Sequence, residues 1–139
     1  MVIYKVPRKL EVTWIEDIKA IVDTWQSYFV TQFEFERAIL EKGLGHAKAN
    51  NGIAWIVDST NASGAMPKFM IDFIDKKVFP EFSKNGIKYF ITISSGASVI
   101  ARKTVSQFSA KTHHNGLILV ELDNLEEAII WLKNKQNEK

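Results

Sequence analysis

The segment IAWIVDSTNASGAMPKF, residues 53–69, carried on to KVFP at residues 77–80, decides the fold: it spells a strand, a polar loop and an amphipathic helix. Ile53, Ala54, Trp55, Ile56 and Val57 form an unbroken apolar run, the signature of a parallel strand covered by helices on both faces. The run stops at Asp58. Ser59, Thr60, Asn61, Ala62, Ser63 and Gly64 follow, small and polar residues that bond local backbone and favour turns. Met66, Phe69, Met70, Phe73, Ile74 and Phe79 then recur near the i, i+3, i+4, i+7 rhythm of a helix with one buried stripe. Pro67 suits the first turn of that helix, where its missing donor would have had no partner, and Pro80 suits its end.

Upstream, Val2 to Val6 is a short apolar piece ended by Pro7, and Leu10, Val12 and Trp14 alternate with Glu11, Thr13 and Ile15. Alternation predicts a strand with one solvated side. Glu16 and Asp17 suit a turn into a second strand, Ile18 to Tyr28, in which Lys19, Asp23 and Gln26 break any clean period. Thr31 with Glu34 three residues on is a capping box, which predicts a helix. Phe35, Ala38, Ile39 and Leu40 supply its buried stripe; it ends at Gly43 and Gly45 or runs through His46 to Ala49, before Asn50, Asn51 and Gly52.

Downstream, Glu81 to Gly86 reads as a polar connection, closed by Asn85 and Gly86. Ile87, Tyr89, Phe90, Ile91 and Ile93 make a second apolar strand, followed by Ser94, Ser95 and Gly96. Ser98 caps a helix to about Ser109, His113 to Gly116 form a turn, and Leu117 to Val120 make a third parallel strand. Asp123 or Asn124 caps a last helix bearing Leu125, Ala128, Ile129 and Leu132.

The strands alternate with helices, so right-handed crossovers make the last three parallel. The predicted fold is α/β, a mixed sheet of about five strands with an N-terminal antiparallel hairpin, then parallel βαβαβα, and about four helices. It is one domain over residues 1–139, with a tail fraying from about residue 134.

Composition narrows the function. The chain has a formal charge of +2 with its cations scattered among 16 acidic residues, so it lacks the basic stripe that a phosphate backbone requires, and nucleic acid is not an expected partner. With no cysteine, disulfides and thiolate sites are excluded. No apolar run approaches the roughly 18 residues of a membrane span, and MVIYKVPRKL lacks the apolar core of a secretion signal, so a cytoplasmic protein is expected.

Asp58, Asn61 and Pro67, then Phe79 with Pro80, Gly86, an apolar strand and the ending LEEAIIWLKN resemble bacterial single-domain proteins of the STAS/SEC14-like, anti-sigma-factor-antagonist-like superfamily. The resemblance covers most of the chain from Leu10 onward. It implies a small α/β sandwich without established chemistry. In anti-sigma-factor antagonists a serine at the start of the helix after the corresponding strand is phosphorylated, and its state governs partner binding. Ser63, before Gly64, lies close to that place, although Asn61 and Ala62 stand where that group has an acidic residue and a further serine. Phosphate there would add roughly two negative charges.

Ligands gather at the carboxyl ends of parallel strands, where loops lead into helix N-termini. The candidate ligand or partner residues are therefore Asp58, Asn61, Ser63, Ser94, Ser95 and Ser98, set against the commoner fate of such residues, capping helices and making turns. No catalytic residues, metal ligands or cofactor are predicted. His113 and His114 are adjacent rather than four apart, SSGAS is not a nucleophile elbow, and a glycine-rich phosphate cradle is missing. The expected function is a non-catalytic regulatory or interaction module with an unidentified protein partner, and a homodimer through an open sheet edge is a further expectation. The alternative is a carrier of a small apolar or lipid-like ligand, lined by some of the four tryptophans and nine phenylalanines; an enzyme ranks below both.

Overall fold

The computed structural model describes residues 1–62, 66–93, 113–114 and 116–137, and its frame is a mixed sheet of seven strands. β1 (Val2–Val6), β2 (Leu10–Ile15) and β3 (Ala20–Trp25) form an antiparallel meander. β4 (Ala54–Asp58) and β5 (Tyr89–Ile93) add parallel to β3. β6 (His113–His114) and β7 (Leu117–Leu122) complete the order β1-β2-β3-β4-β5-β7-β6, with β7 parallel to β5 and β6 antiparallel at the edge. The three apolar runs expected to lie side by side do so, and β3 joins them.

Two helical rods carry the first two crossovers. The first is α1 (Gln32–Glu36), a π-helical segment (Arg37–Gly43) and α2 (Leu44–Ala49). The second is α3 (Lys68–Phe73), another π-helical segment (Ile74–Val78) and α4 (Phe79–Lys84). Since β3, β4 and β5 follow in chain order, right-handed crossovers put both rods on the same face. There Ile21, Trp55, Phe90 and Leu119, in register across the sheet, meet Phe35, Ile39, Met70, Ile74 and Phe82 in one core. Val22, Ile56 and Ile91 point the other way and join Ala128 and Leu132 of α5 (Leu125–Asn137) in a second, smaller core.

Local signals explain most element ends. Thr31 Oγ1 accepts the Glu34 amide at 3.0 Å while Glu34 Oε1 accepts the Thr31 amide at 2.9 Å, the reciprocal cap expected from sequence. Asn124 Oδ1 accepts the Glu127 amide at 2.8 Å and so settles which residue caps α5. The first rod passes Gly43 and Gly45 and ends at Ala49, and Gly86, at φ +96°, turns the chain after α4.

Several expectations are corrected. Among the described residues the sheet has seven strands rather than about five, because Val2–Val6 and His113–His114 are short edge strands whose sequences carry little alternation. The turn expected over His113 to Gly116 is thus partly a strand. The strand expected over Ile18 to Tyr28 is trimmed at both ends to Ala20–Trp25, because Glu16–Ile18 is a 3₁₀ turn and Lys19 takes a left-handed φ of 51°. Pro80 does not end its helix, and Glu81 to Lys84 is helical rather than a connection. The Phe79 amide reaches back to Ile74 O, five residues away, and this π spacing lets the rod absorb a proline that lacks a donor. α5 runs to Asn137, into the expected tail. The helix expected from Ser98 to Ser109 lies outside the described residues.

Candidate functional site

The most unusual side chain in the structure is Asp23. In β3 the residues Ile21, Asp23 and Trp25 face the helical rods, and register sets Asp23 beside Val57 of β4, which is itself beside Thr92 of β5. The carboxyl is therefore built into the buried face of the sheet, with 3% exposure. Trp55 Nε1 donates to Asp23 Oδ2 at 2.8 Å, while Oδ1 has no hydrogen-bond partner. Burial pushes the Asp23 carboxyl up from its ordinary range to about 7, against the opposing pull of the Trp55 bond.

Around it lies an apolar cavity of about 20 Å³. Trp25, Phe35, Trp55, Phe82 and Phe90 contribute rings, and Ile39, Ile74 and Val78 come from the π-helical segments of the two rods. Trp55 is held firmly. Phe82 stacks on it with ring centroids 4.2 Å apart, and Gly43 of the first rod lies so close that a Cβ there would sit 2.7 Å from the indole. Glycine at 43 is thus a matter of close approach between rod and sheet.

A second polar contact lies toward the carboxyl ends of the strands. The hydroxyls of Tyr28 and Ser59 hydrogen-bond each other, and both residues are buried. Burial pushes the Tyr28 phenol up to about 12, opposed by the Ser59 bond and reinforced by the negative charges of Asp23 and Asp58. Neither Asp23 nor Ser59 stood among the residues predicted from sequence. The available signal for Asp23 was a lone carboxylate in the otherwise apolar AIVDTW of β3.

Of the predicted residues, Asp58 ends β4 on the face opposite Asp23, half-buried, and its Oδ1 accepts the Thr60 amide at 3.1 Å. That is turn chemistry. Asn61 is exposed. Ser63, Ser94, Ser95 and Ser98 lie outside the described residues. Asp58 and Ile93 are paired in register, so the two loops leave the sheet from neighbouring positions. The strand order from β3 to β7 never reverses direction, so those strands lack the switch point at which open α/β sheets usually form a crevice.

The same end of the sheet exposes aromatic surface. Phe29 is 84% exposed, Phe33 70% and Phe69 41%. Phe33 is in the first turn of α1 and Phe69 in the first turn of α3, and these helices meet through Phe35 and Phe73, ring centroids 6.0 Å apart. Lys9 Nζ lies 5.8 Å from the centroid of the Phe29 ring and 3.7 Å from Glu34 Oε1. Capping by Thr31 holds the Glu34 carboxyl below its usual range, with Lys9 adding to the effect. Among the described residues no group of three or more histidines or carboxylates is placed to hold a metal ion, and no helix is long and apolar enough to cross a membrane. No family model and no curated protein sequence matches the chain.

Proposed function

We propose that the chain is a non-catalytic interaction module of the STAS/SEC14-like type, which meets a protein partner at the carboxyl ends of its parallel strands. One observation carries this reading: Phe29 and Phe33 present their rings to solvent beside a capped helix start. Single exposed apolar residues are ordinary, but aromatics gathered at one end of a sheet suit an interface core, where phenylalanine is enriched. Lys9 and Glu34 beside Phe29 give that patch the polar rim of a protein interface. Ser63 follows β4 in sequence, and by the family resemblance phosphate on it would add roughly two negative charges that govern partner binding. The alternative, a carrier of a small apolar or lipid-like ligand, is less well supported, because the aromatic-lined cavity, at about 20 Å³, is water-sized.

The test uses the intact chain as bait for chemical cross-linking and mass spectrometry, with Phe29→Ser/Phe33→Ser as comparison. A partner recovered by the parent and lost by the double variant, at equal melting temperature, supports the reading. Equal recovery by both sinks it. Sedimentation of the purified chain separates self-association, the homodimer, from capture of a different protein.

A further inference from the structure

β1 and β2 are joined by Pro7, Arg8 and Lys9, and Arg8 holds a left-handed φ of 66°. A hairpin turn ordinarily places glycine or asparagine at such a position, because a larger side chain strains the backbone there. A strained residue that the turn does not require is best explained by what its side chain does. Here that side chain lines a pocket.

The pocket, of about 80 Å³, lies on the face of the sheet away from the rods, where Lys5, Glu11 and Thr24 stand in register on β1, β2 and β3. Arg8 from the turn and Gln26, just past β3, complete its polar wall. The core under α5 takes most of its strand residues from β3, β4 and β5, and this corner stays open to solvent, with Lys5, Arg8 and Gln26 exposed. Lys9 is engaged with Glu34 and the Phe29 ring, whereas neither Lys5 nor Arg8 forms a salt bridge with a described residue. The lining therefore sets two cations against one carboxylate, and the Thr24 hydroxyl and Gln26 carboxamide are groups that can donate.

We propose that this pocket binds a phosphoryl group, free or on a small phosphomonoester, with Arg8 and Lys5 on its charged oxygens and Glu11 accepting from its protonated oxygen.

One enclosed water needs about 10–15 Å³, so a pocket of about 80 Å³ has room for roughly five, the number of heavy atoms in phosphate. The guanidinium fork of Arg8 suits two oxygens of such a group, and Lys5 supplies a point charge. Glu11 sets the selectivity. A phosphomonoester keeps a proton below about pH 6 and can donate it to a carboxylate, while sulfate has none to give and meets Glu11 as a like charge. Asp58, next to Thr24 in register, is turned to its own loop through the Thr60 amide. The site uses neither Phe29 nor Phe33, so it stands apart from the partner surface.

The experiment titrates the isotopically labelled chain with sodium phosphate at about pH 6, following the Arg8 Nε–H and the backbone amides of Thr24 and Gln26 by NMR. Sodium sulfate and sodium chloride at matched ionic strength are the controls, and methyl phosphate distinguishes an esterified from a free phosphoryl group by which of the two binds more tightly. The expected result is a saturable shift of these signals with phosphate, with sulfate binding at least about tenfold more weakly. The proposal is overturned if phosphate gives no saturable shift, or if sulfate or chloride matches it. Arg8→Gly should weaken phosphate binding at least about tenfold while melting at or above the temperature of the parent, because glycine adopts a φ of 66° without strain. Undiminished binding by that variant overturns the proposal. Glu11→Gln should erase the preference for phosphate over sulfate, and a preference left intact in the folded variant overturns it as well.

Discussion

The two faces of the sheet are packed in different ways. Facing α5, the fully buried residues Ala20, Val22, Ala54, Ile56 and Ile91 meet Ala128 and Leu132 of a regular helix, all of them aliphatic, with the half-buried rings of Tyr89 and Trp131 packed at the margin. Facing the two rods, it holds Trp25, Trp55, Phe82 and Phe90, a buried carboxyl with one oxygen unpartnered, a cavity, and two departures from α-helical spacing. A small domain needs one well-packed face for stability, and irregularities that stability does not require are where a binding role is best sought. The difference teaches that the larger core, under the rods, accommodates a buried carboxyl and a cavity, while the smaller one, under α5, holds neither among the described residues.

The contrast breaks most sharply at Trp55. Trp55→Ala should remove a fully buried indole, its stack on Phe82 and the hydrogen bond it gives Asp23, for a loss of about 5 kcal/mol in chemical denaturation. A loss under about 2 kcal/mol would mean that the rod face is loosely packed. The next effect concerns pH. Asp23 titrates at about 7 in the folded chain and near 3.8 when unfolded, so between those values the folded state holds the extra proton. Stability from this group is fully present below about pH 4 and is lost as pH rises toward 7 and beyond, by up to about 4 kcal/mol. Asp23→Asn should flatten that slope in urea titrations run from pH 4 to 8.

Leu132→Ala on the α5 face tests the other half of the comparison. It should cost about 3 kcal/mol through its cavity and leave the pH slope as it is. A changed slope would show that the faces are coupled. The smallest of these effects belongs to Gly43→Ala, which gains about 1 kcal/mol of helix propensity but drives a Cβ to 2.7 Å from the rigid indole of Trp55. A net loss of about 1–2 kcal/mol in thermal melts is expected, and a gain would show that the first rod can move off the sheet.

How far the sequence revealed this arrangement depends on whether a signal was local. The apolar run of β4, the Thr31 and Glu34 cap and the turn at Asp58 were legible because each involves residues a few positions apart. The edge strands β1 and β6 were not, since an edge strand has little buried surface to pattern it. Pro80 misled because it sits in the first turn of α4, directly after the π-helical segment, where a proline is tolerated and the rod runs on. Asp23 looked like an interruption in a strand. Its significance comes from Trp55, 32 residues away, and from rods that close over both, which no short window contains.

Each π-helical segment has a consequence for the angular phase of its rod. A π-turn takes in a surplus residue, seen where the Leu44 amide reaches Ile39 O and the Phe79 amide reaches Ile74 O. Removing one residue from Ile74–Val78 would turn that five-residue bond into an ordinary four-residue one and leave everything after it in its present phase, so Phe82 would stay on Trp55. Each segment is therefore a place where the length of the rod can change by one residue without altering the face that it turns to the sheet.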